Sequence, residues 1–388
     1  MTVVSPSAHP RLSFGLHEAG VEICESEVRY LAGPPERFLL DQGLSFDDTY
    51  AGPLPMIGVS VGAAGSGTVG TLGPFLGLTS GADVSQFKVI ALTASHVVKP
   101  GTCLFPSNLC NRLTVLFVED EHPSTSPQIG VVSPSDPDHA AWVEALGGGL
   151  PGVGSAGGTT LLDDLLAADP THDQERLQQA RGRDRRIGSV LATSGLTKKC
   201  PIDNCRLDWA VVDITSALGT VPSIPTNVRT SACTMTQQDV LSRIAKIPPP
   251  PLLDYLRQVG FNSAEGKARK AVFKLGRTTG PTVGLHHGCK AMARQYQSKV
   301  VESLEEVVIP VTNNTPRFAK EGDSGALVYG PEGKGLGMVW GGVLSKVPTT
   351  MAVERMVYVT PIRAIARDVA AQFEQAYSDG KAQWHWLE

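Results

Sequence analysis

The sequence predicts an all-β chain built from two series of short strands, with an N-terminal arm, inserted loops and a C-terminal helix. Three observations predict it. The 388 residues include 41 Gly and 28 Pro beside 41% hydrophobic residues, a composition that suits short strands joined by many turns. β-favouring runs begin at Met56, continue to Val212 and resume at Ala271. Between the two series lies a segment broken by Pro248-Pro249-Pro250-Pro251, which no helix continues through. The length exceeds one average domain and can bury a large core, so two subdomains with appendages are expected.

Residues 1–50 read as an arm that docks on the main body, with helix-compatible stretches at Glu18–Leu31 and Pro35–Gln42. Residues 51–235 carry the first β series: Met56–Val61, Gly67–Gly73, Phe87–Leu92, Leu113–Val118, Gly130–Val132, Arg186–Leu191 and the apolar run opened by Asp208. Inside this series sits an insertion at 147–186. Gly147–Gly158 has seven glycines among twelve residues and reads as a loop, and Thr171–Arg186 reads as a short helix. Residues 236–267 form the connector. The second series, within 268–360, comprises Ala271–Gly280, Glu306–Val311, Ser324–Tyr329, Gly335–Leu344 and Val357–Thr360. Residues 361–388 hold a helix and a tail. Ile362, Ile365, Ala366, Val369, Ala370, Phe373 and Tyr377 recur at helical spacing between Pro361 and Gly380.

Charge and composition narrow the function classes. A net charge of −4 and a pI near 6.2 give no reason to expect nucleic acid as a partner. The basic cluster Arg181–Arg186 reads as a solvated loop. The longest uncharged stretch, 51–82, carries nine glycines and three prolines, so it is strands and turns and no membrane span is expected. The N-terminus has neither a basic start nor a continuous apolar stretch and does not read as a secretory signal. Seven cysteines form an odd set without paired C-x-x-C units. Cys103/Cys110 and Cys200/Cys205 are each spaced to close a small loop, but free thiols in a reducing cytoplasm fit the set better. His286-His287 with Cys289 is a weak metal signal; no metal and no cofactor are expected.

Chemistry concentrates in Glu321-Gly322-Asp323-Ser324-Gly325. A serine hydroxyl is a poor nucleophile until a base takes its proton and donors stabilise the developing oxyanion. The glycines permit a tight turn in which the amides of Gly322 and Ser324 point at one spot. Asp323 reads as a brace for this turn, through a buried ion pair or hydrogen bonds. Upstream, Leu92-Thr93-Ala94-Ser95-His96 places a histidine at the end of an apolar run. Between them, Leu207-Asp208-Trp209-Ala210-Val211 places an acid at the start of another.

These three motifs, Thr93-Ala94-Ser95-His96, Asp208-Trp209-Ala210-Val211 and Gly322-Asp323-Ser324-Gly325, resemble the chymotrypsin-like (trypsin-like) serine protease family. Their order His, Asp, Ser separates that family from other serine hydrolases. The resemblance spans about residues 56–365. It implies two antiparallel six-stranded β-barrels with the site in the cleft between them, and a serine-type endopeptidase acting on polypeptides. In this role Ser324 is the nucleophile, His96 the general base and acid, and Asp208 the orienter, with an oxyanion hole at the amides of Gly322 and Ser324. The separations of 112 and 116 positions exceed those of compact members, and the surplus falls in the 147–186 loop and the connector. The resemblance also implies a substrate pocket with Phe318 at its base, walls from Val339-Trp340-Gly341-Gly342, and Met356 near the opposite wall. No acid stands at these places, so an apolar or small side chain is the expected preference.

Two departures from the family matter. Ile57-Gly58-Val59 is internal, and no activation sequence supplies a new amino terminus to pair with the acid before the serine. No cysteine flanks His96 or Ser324. Both favour an intracellular enzyme. Two alternative readings are a catalytically silent scaffold that binds a protein partner, and a protease that mainly processes itself in the arm or the 147–186 loop.

Overall fold

The structure is a computed structural model that describes residues 27–30, 56–80, 83–98, 129–146, 170–215, 223–224, 235–236, 270–296, 300–310, 317–330, 334–344, 356–376 and 382–387. In chain order, its strands are β1 (Glu27–Tyr30), β2 (Ser60–Ala63), β3 (Gly70–Thr71), β4 (Phe75–Ser80), β5 (Asp83–Thr93), β6 (Gly130–Val132), β7 (Arg186–Thr193) and β8 (Ala210–Asp213). A short pair follows, β9 (Ser223–Ile224) and β10 (Met235–Thr236). Then come β11 (Lys270–Gly276), β12 (Gly280–His286), β13 (Ala291–Tyr296), β14 (Val300–Pro310), β15 (Leu327–Tyr329), β16 (Gly335–Leu344), β17 (Val357–Pro361) and β18 (Ala382–Trp386). The helices are α1 (Ser95–Val98), α2 (Asp136–Leu146), α3 (Pro170–Gly182) and α4 (Ile362–Ala376).

The fold is all-β, as expected, with two large antiparallel sheets beside the β9–β10 pair among the described residues. The first runs β18-β4-β5-β8-β7-β6-β2-β3 as an open path. The second contains a closed ring of six strands, β16-β15-β11-β12-β14-β17, with β17 pairing both β14 and β16 to complete it. β1 and β13 are added outside this ring, on β16 and β14. Each sheet encloses its own apolar core. Val59, Val61, Leu72, Phe75, Val97 and Val212 fill the first, and Val272, Val308, Phe318, Val328, Val339 and Val359 the second.

Appendages lock onto the first sheet from behind. The apolar stripe of α4, from Ile362 to Phe373, packs on Leu76, Leu92, Leu207 and Trp209. Beyond the helix the chain returns as β18, which pairs with β4 from Ala382↔Ser80 to Trp386↔Leu76. Phe373 and Trp384 meet edge to face at 4.9 Å. The tail is therefore a strand of the first sheet, a contribution the helical periodicity did not announce.

The expected helix at Thr171–Arg186 appears as α3, and it packs against α2, which no sequence signal had singled out. One expectation is corrected. Part of the helix-compatible stretch Glu18–Leu31 is strand β1, because Val28 and Tyr30 favour extended backbone and β16 offers an edge to pair with. Pro35–Gln42, Leu113–Val118, Gly147–Gly158 and most of the connector lie outside the described residues. Among the described residues no helix is long and apolar enough to cross a membrane.

Candidate active site

The register of β5 against β8 brings His96 and Asp208 together. Thr93 at the end of β5 lies opposite Ala210 at the start of β8, so the residues just beyond each strand end converge. Val97 and Val98 are buried in the first core and pin α1, while Leu207 and Trp209 are buried on either side of Asp208. Asp208 Oδ2 lies 2.7 Å from His96 Nδ1, and Oδ1 accepts the His96 backbone amide at 3.2 Å. A carboxylate only accepts, so Nδ1 carries the proton and Nε2 becomes the nitrogen that exchanges one. Asp208 is fully buried. Burial opposes its ionisation, but the charge and hydrogen bonds of His96, aided by the Arg206 charge, hold its carboxyl below the usual aspartate range.

Ser324 occupies the turn between Lys320 and β15, strapped to the first sheet by Thr71. The Thr71 amide donates to the Ser324 carbonyl at 2.7 Å, and Thr71 Oγ1 donates to the Gly322 carbonyl at 2.8 Å. A Cβ on Gly325, whose φ is +95°, would collide with the Thr71 carbonyl and press on Thr93 Oγ1 and the Ala94 amide. The Ser324 turn thus sits directly against the strand end that leads into His96. Ser324 Oγ itself donates to the Trp340 carbonyl at 3.2 Å.

The amides of Gly322 and Ser324 are oriented by what their peptide partners bind. In a trans peptide the N–H points opposite to the C=O. The Glu321 carbonyl accepts from Thr278 Oγ1 at 2.6 Å, which turns the Gly322 amide the other way. The Asp323 carbonyl accepts the Ala326 amide at 3.0 Å, which does the same for the Ser324 amide. Gly322 has φ +96°, and a Cβ there would strike Thr278 Oγ1 and Arg277.

Asp323 braces the turn, as read from the sequence. Its carboxylate accepts the amides of Thr278 and Lys320 at 2.8 and 2.9 Å and Thr279 Oγ1 at 2.7 Å. Lys274 Nζ stands 3.2 Å away with both side chains fully buried. Burial pushes the Lys274 ammonium below its ordinary pKa, and the charge and hydrogen bond of Asp323 oppose that. A second buried pair flanks the turn. Arg277 donates through Nε to Asp138 Oδ2 at 2.6 Å and through Nη2 to Oδ1, which ties α2 to the turn. Arg277 also reaches Thr278 Oγ1, and its amide donates to Thr71 Oγ1 at 3.0 Å.

The expected pocket residues separate into two groups. Phe318 and Val339 lie in the core of the second sheet, with Lys274 Nζ 5.6 Å from the Phe318 ring centre. Trp340 is buried with Tyr358 stacked at 5.5 Å and Arg206 over its ring, and Met356 packs against this group. Gly341 and Gly342 pair with Tyr358 and Val357 of β17. His286 bonds Glu306 Oε2 at 2.9 Å. Cys200 and Cys205 are buried thiols, and burial raises the Cys205 pKa.

Sequence reasoning missed Thr71, Lys274, Arg277 and Asp138. The signal for Lys274 was there: it shares a strand face with Val272, so period-two alternation buries it. Thr71 and Asp138 carried no local signal, since their partners are 251 and 139 positions away.

No family model matches this chain, and no curated protein sequence matches it. Among solved structures, it is similar to a glutamic-acid-specific serine protease at 12% identity and TM-score 0.32, covering 84% of this chain and 98% of that one. Thermobifida fusca protease A and a Nocardiopsis protease each match at 12% identity and TM-score 0.33, covering 85% of this chain and 98% of theirs.

Proposed function

We propose that this chain is a serine endopeptidase that cleaves polypeptides through an acyl-enzyme on Ser324. The observation that carries the reading is the convergence at one strand end: a turn with two aimed amides, strapped by Thr71 beside Ala94, next to a histidine whose Nδ1 is bound by a buried carboxylate. In the reaction, Ser324 Oγ leaves the Trp340 carbonyl and attacks the peptide carbonyl carbon while its proton passes to His96 Nε2. The amides of Gly322 and Ser324 receive the oxyanion, each worth on the order of a hundredfold in rate. The C–N bond then breaks as Nε2 returns the proton to the leaving amine. Water, deprotonated by the same nitrogen, hydrolyses the ester. Asp208 keeps the imidazole in the tautomer that this sequence of transfers requires.

An apolar or small side chain is the preference at the cleaved residue, since none of Phe318, Val339, Trp340, Gly341, Gly342 and Met356 brings an acid to pair with a basic one. The buried thiols Cys200 and Cys205 suit a reducing, cytoplasmic setting. A fluorophosphonate with a short alkyl chain tests the reading, since it needs only an activated serine and an oxyanion hole. The folded wild-type chain takes up the label and Ser324→Ala does not. A folded wild type that stays unlabelled would establish the silent scaffold instead.

A further inference from the structure

One edge of β16 is occupied by this chain's own segments in a fixed order around the nucleophile. β15 pairs with Gly335, Gly337 and Met338. Next, Val339 accepts the Gly325 amide at 2.8 Å and donates to the Ala326 carbonyl at 3.0 Å. The Trp340 carbonyl accepts Ser324 Oγ. Beyond it, Gly341–Leu344 pair with β1, Tyr30 opposite Gly341 and Glu27 opposite Leu344. β17 already pairs with Gly337, Met338, Gly341 and Gly342, so β15 and β1 must both lie on the opposite edge. β1 therefore continues the line of β15 past Ser324, and its direction from Glu27 to Tyr30 runs toward that serine.

An extended polypeptide can add to this edge beside Ser324 in one slot, the one β1 holds. Gly341 and Gly342 lie where the register of β16 against β17 shifts, and they present no side chain beside the strand that pairs with them. Strand addition draws its affinity from main-chain hydrogen bonds and so accepts diverse sequences. We propose that Glu27–Tyr30 is an intramolecular occupant of the peptide-docking edge of β16, which a polypeptide substrate must displace to reach Ser324. This inference rests on the endopeptidase reading above. A segment of the same chain competes at an effective concentration on the order of millimolar, so the occupant matters for any substrate that binds no tighter.

The test uses the whole chain and two probes: the small fluorophosphonate, which needs no strand slot, and extended peptides from a cleavage library. In Glu27→Cys/Leu344→Cys, two residues opposite in register, oxidation clamps β1 in place. Where oxidation closes the clamp in roughly nine molecules in ten or more, peptide hydrolysis is expected to fall by about tenfold or more and to return on reduction, with labelling of Ser324 unchanged in both states. Val28→Pro and Arg29→Pro act in the other direction. Adjacent strand residues alternate in pairing, so one of the two removes a ladder hydrogen bond, and that variant is expected to hydrolyse extended peptides faster at unchanged labelling. Equal peptide hydrolysis by the oxidised and reduced clamp, with Ser324 labelled in both, overturns the occupant while leaving the endopeptidase reading intact. Absence of label on wild type overturns both.

Discussion

Lys274 Nζ and Asp323 Oδ2 are 3.2 Å apart, one residue before Ser324, with neither side chain exposed. Lys274, on the neighbouring strand β11, thus supplies the counter-charge for the acid beside Ser324. The carboxylate in turn fixes the amides of Thr278 and Lys320. An internal cation thereby helps to hold the turn.

Lys274→Met therefore leaves a buried carboxylate without its ion-pair partner. Loss of one member of a buried pair costs about 3–5 kcal/mol. Urea unfolding at neutral pH measures it, and a change below about 1 kcal/mol would mean that the hydrogen bonds alone hold Asp323. Fluorophosphonate labelling of the folded variant is expected to slow as the turn loosens.

Asp208→Asn separates the orienting role from the packing role. An amide presents either an acceptor or a donor to His96 Nδ1, and loss of the correct tautomer is expected to lower kcat on the order of ten-thousandfold. The stability effect depends on pH with a definite sign. The folded pKa of Asp208 is depressed, so its ionised form contributes stability above the ordinary aspartate pKa, and that contribution is lost as pH falls through the folded value. Urea midpoints of wild type and variant should be well separated at neutral pH and converge in strong acid. A constant separation would contradict the assignment.

Much of this arrangement was legible in the sequence, for physical reasons. Strand ends such as Thr93 and Ala210 mark where an apolar run stops, so polar residues placed just beyond, His96 and Asp208, stood out. Gly322 and Gly325 stood out because their positive φ is a local demand that only glycine meets cheaply. What stayed hidden was non-local. Thr71, Asp138 and β1 act through pairings with residues far along the chain, and a threonine or a four-residue strand looks ordinary until its partner is known. Helical compatibility at Glu18–Leu31 gave way to an available sheet edge, which no local propensity encodes.

The C-terminal helix is expected to stabilise the segment that leads from Asp208 into β8. Phe373 is buried against Trp384 and the cluster that includes Trp209, whose indole N–H donates to Asp368 of the same helix at 3.1 Å. Phe373→Ala removes an aromatic side chain from that contact and should cost about 3–5 kcal/mol in urea unfolding. A loss under about 1 kcal/mol would show that the helix is a passive cover.

Thr71→Val tests the strap between the two sheets while keeping the shape of the side chain. The backbone link from the Thr71 amide to the Ser324 carbonyl survives, but the Gly322 carbonyl loses its donor and the Arg277 amide its acceptor. Each buried group left unsatisfied costs about 1–3 kcal/mol, so measurable destabilisation is expected. The functional effect should be larger than stability alone explains. The Gly322 carbonyl fixes the peptide plane between the two oxyanion amides, and a small misplacement of reacting groups costs roughly a hundredfold. The expected signature is a fall in kcat for peptide hydrolysis, and in the fluorophosphonate labelling rate, with KM little changed. If KM rises while kcat holds, Thr71 shapes the binding of substrate and the oxyanion turn keeps its geometry without it.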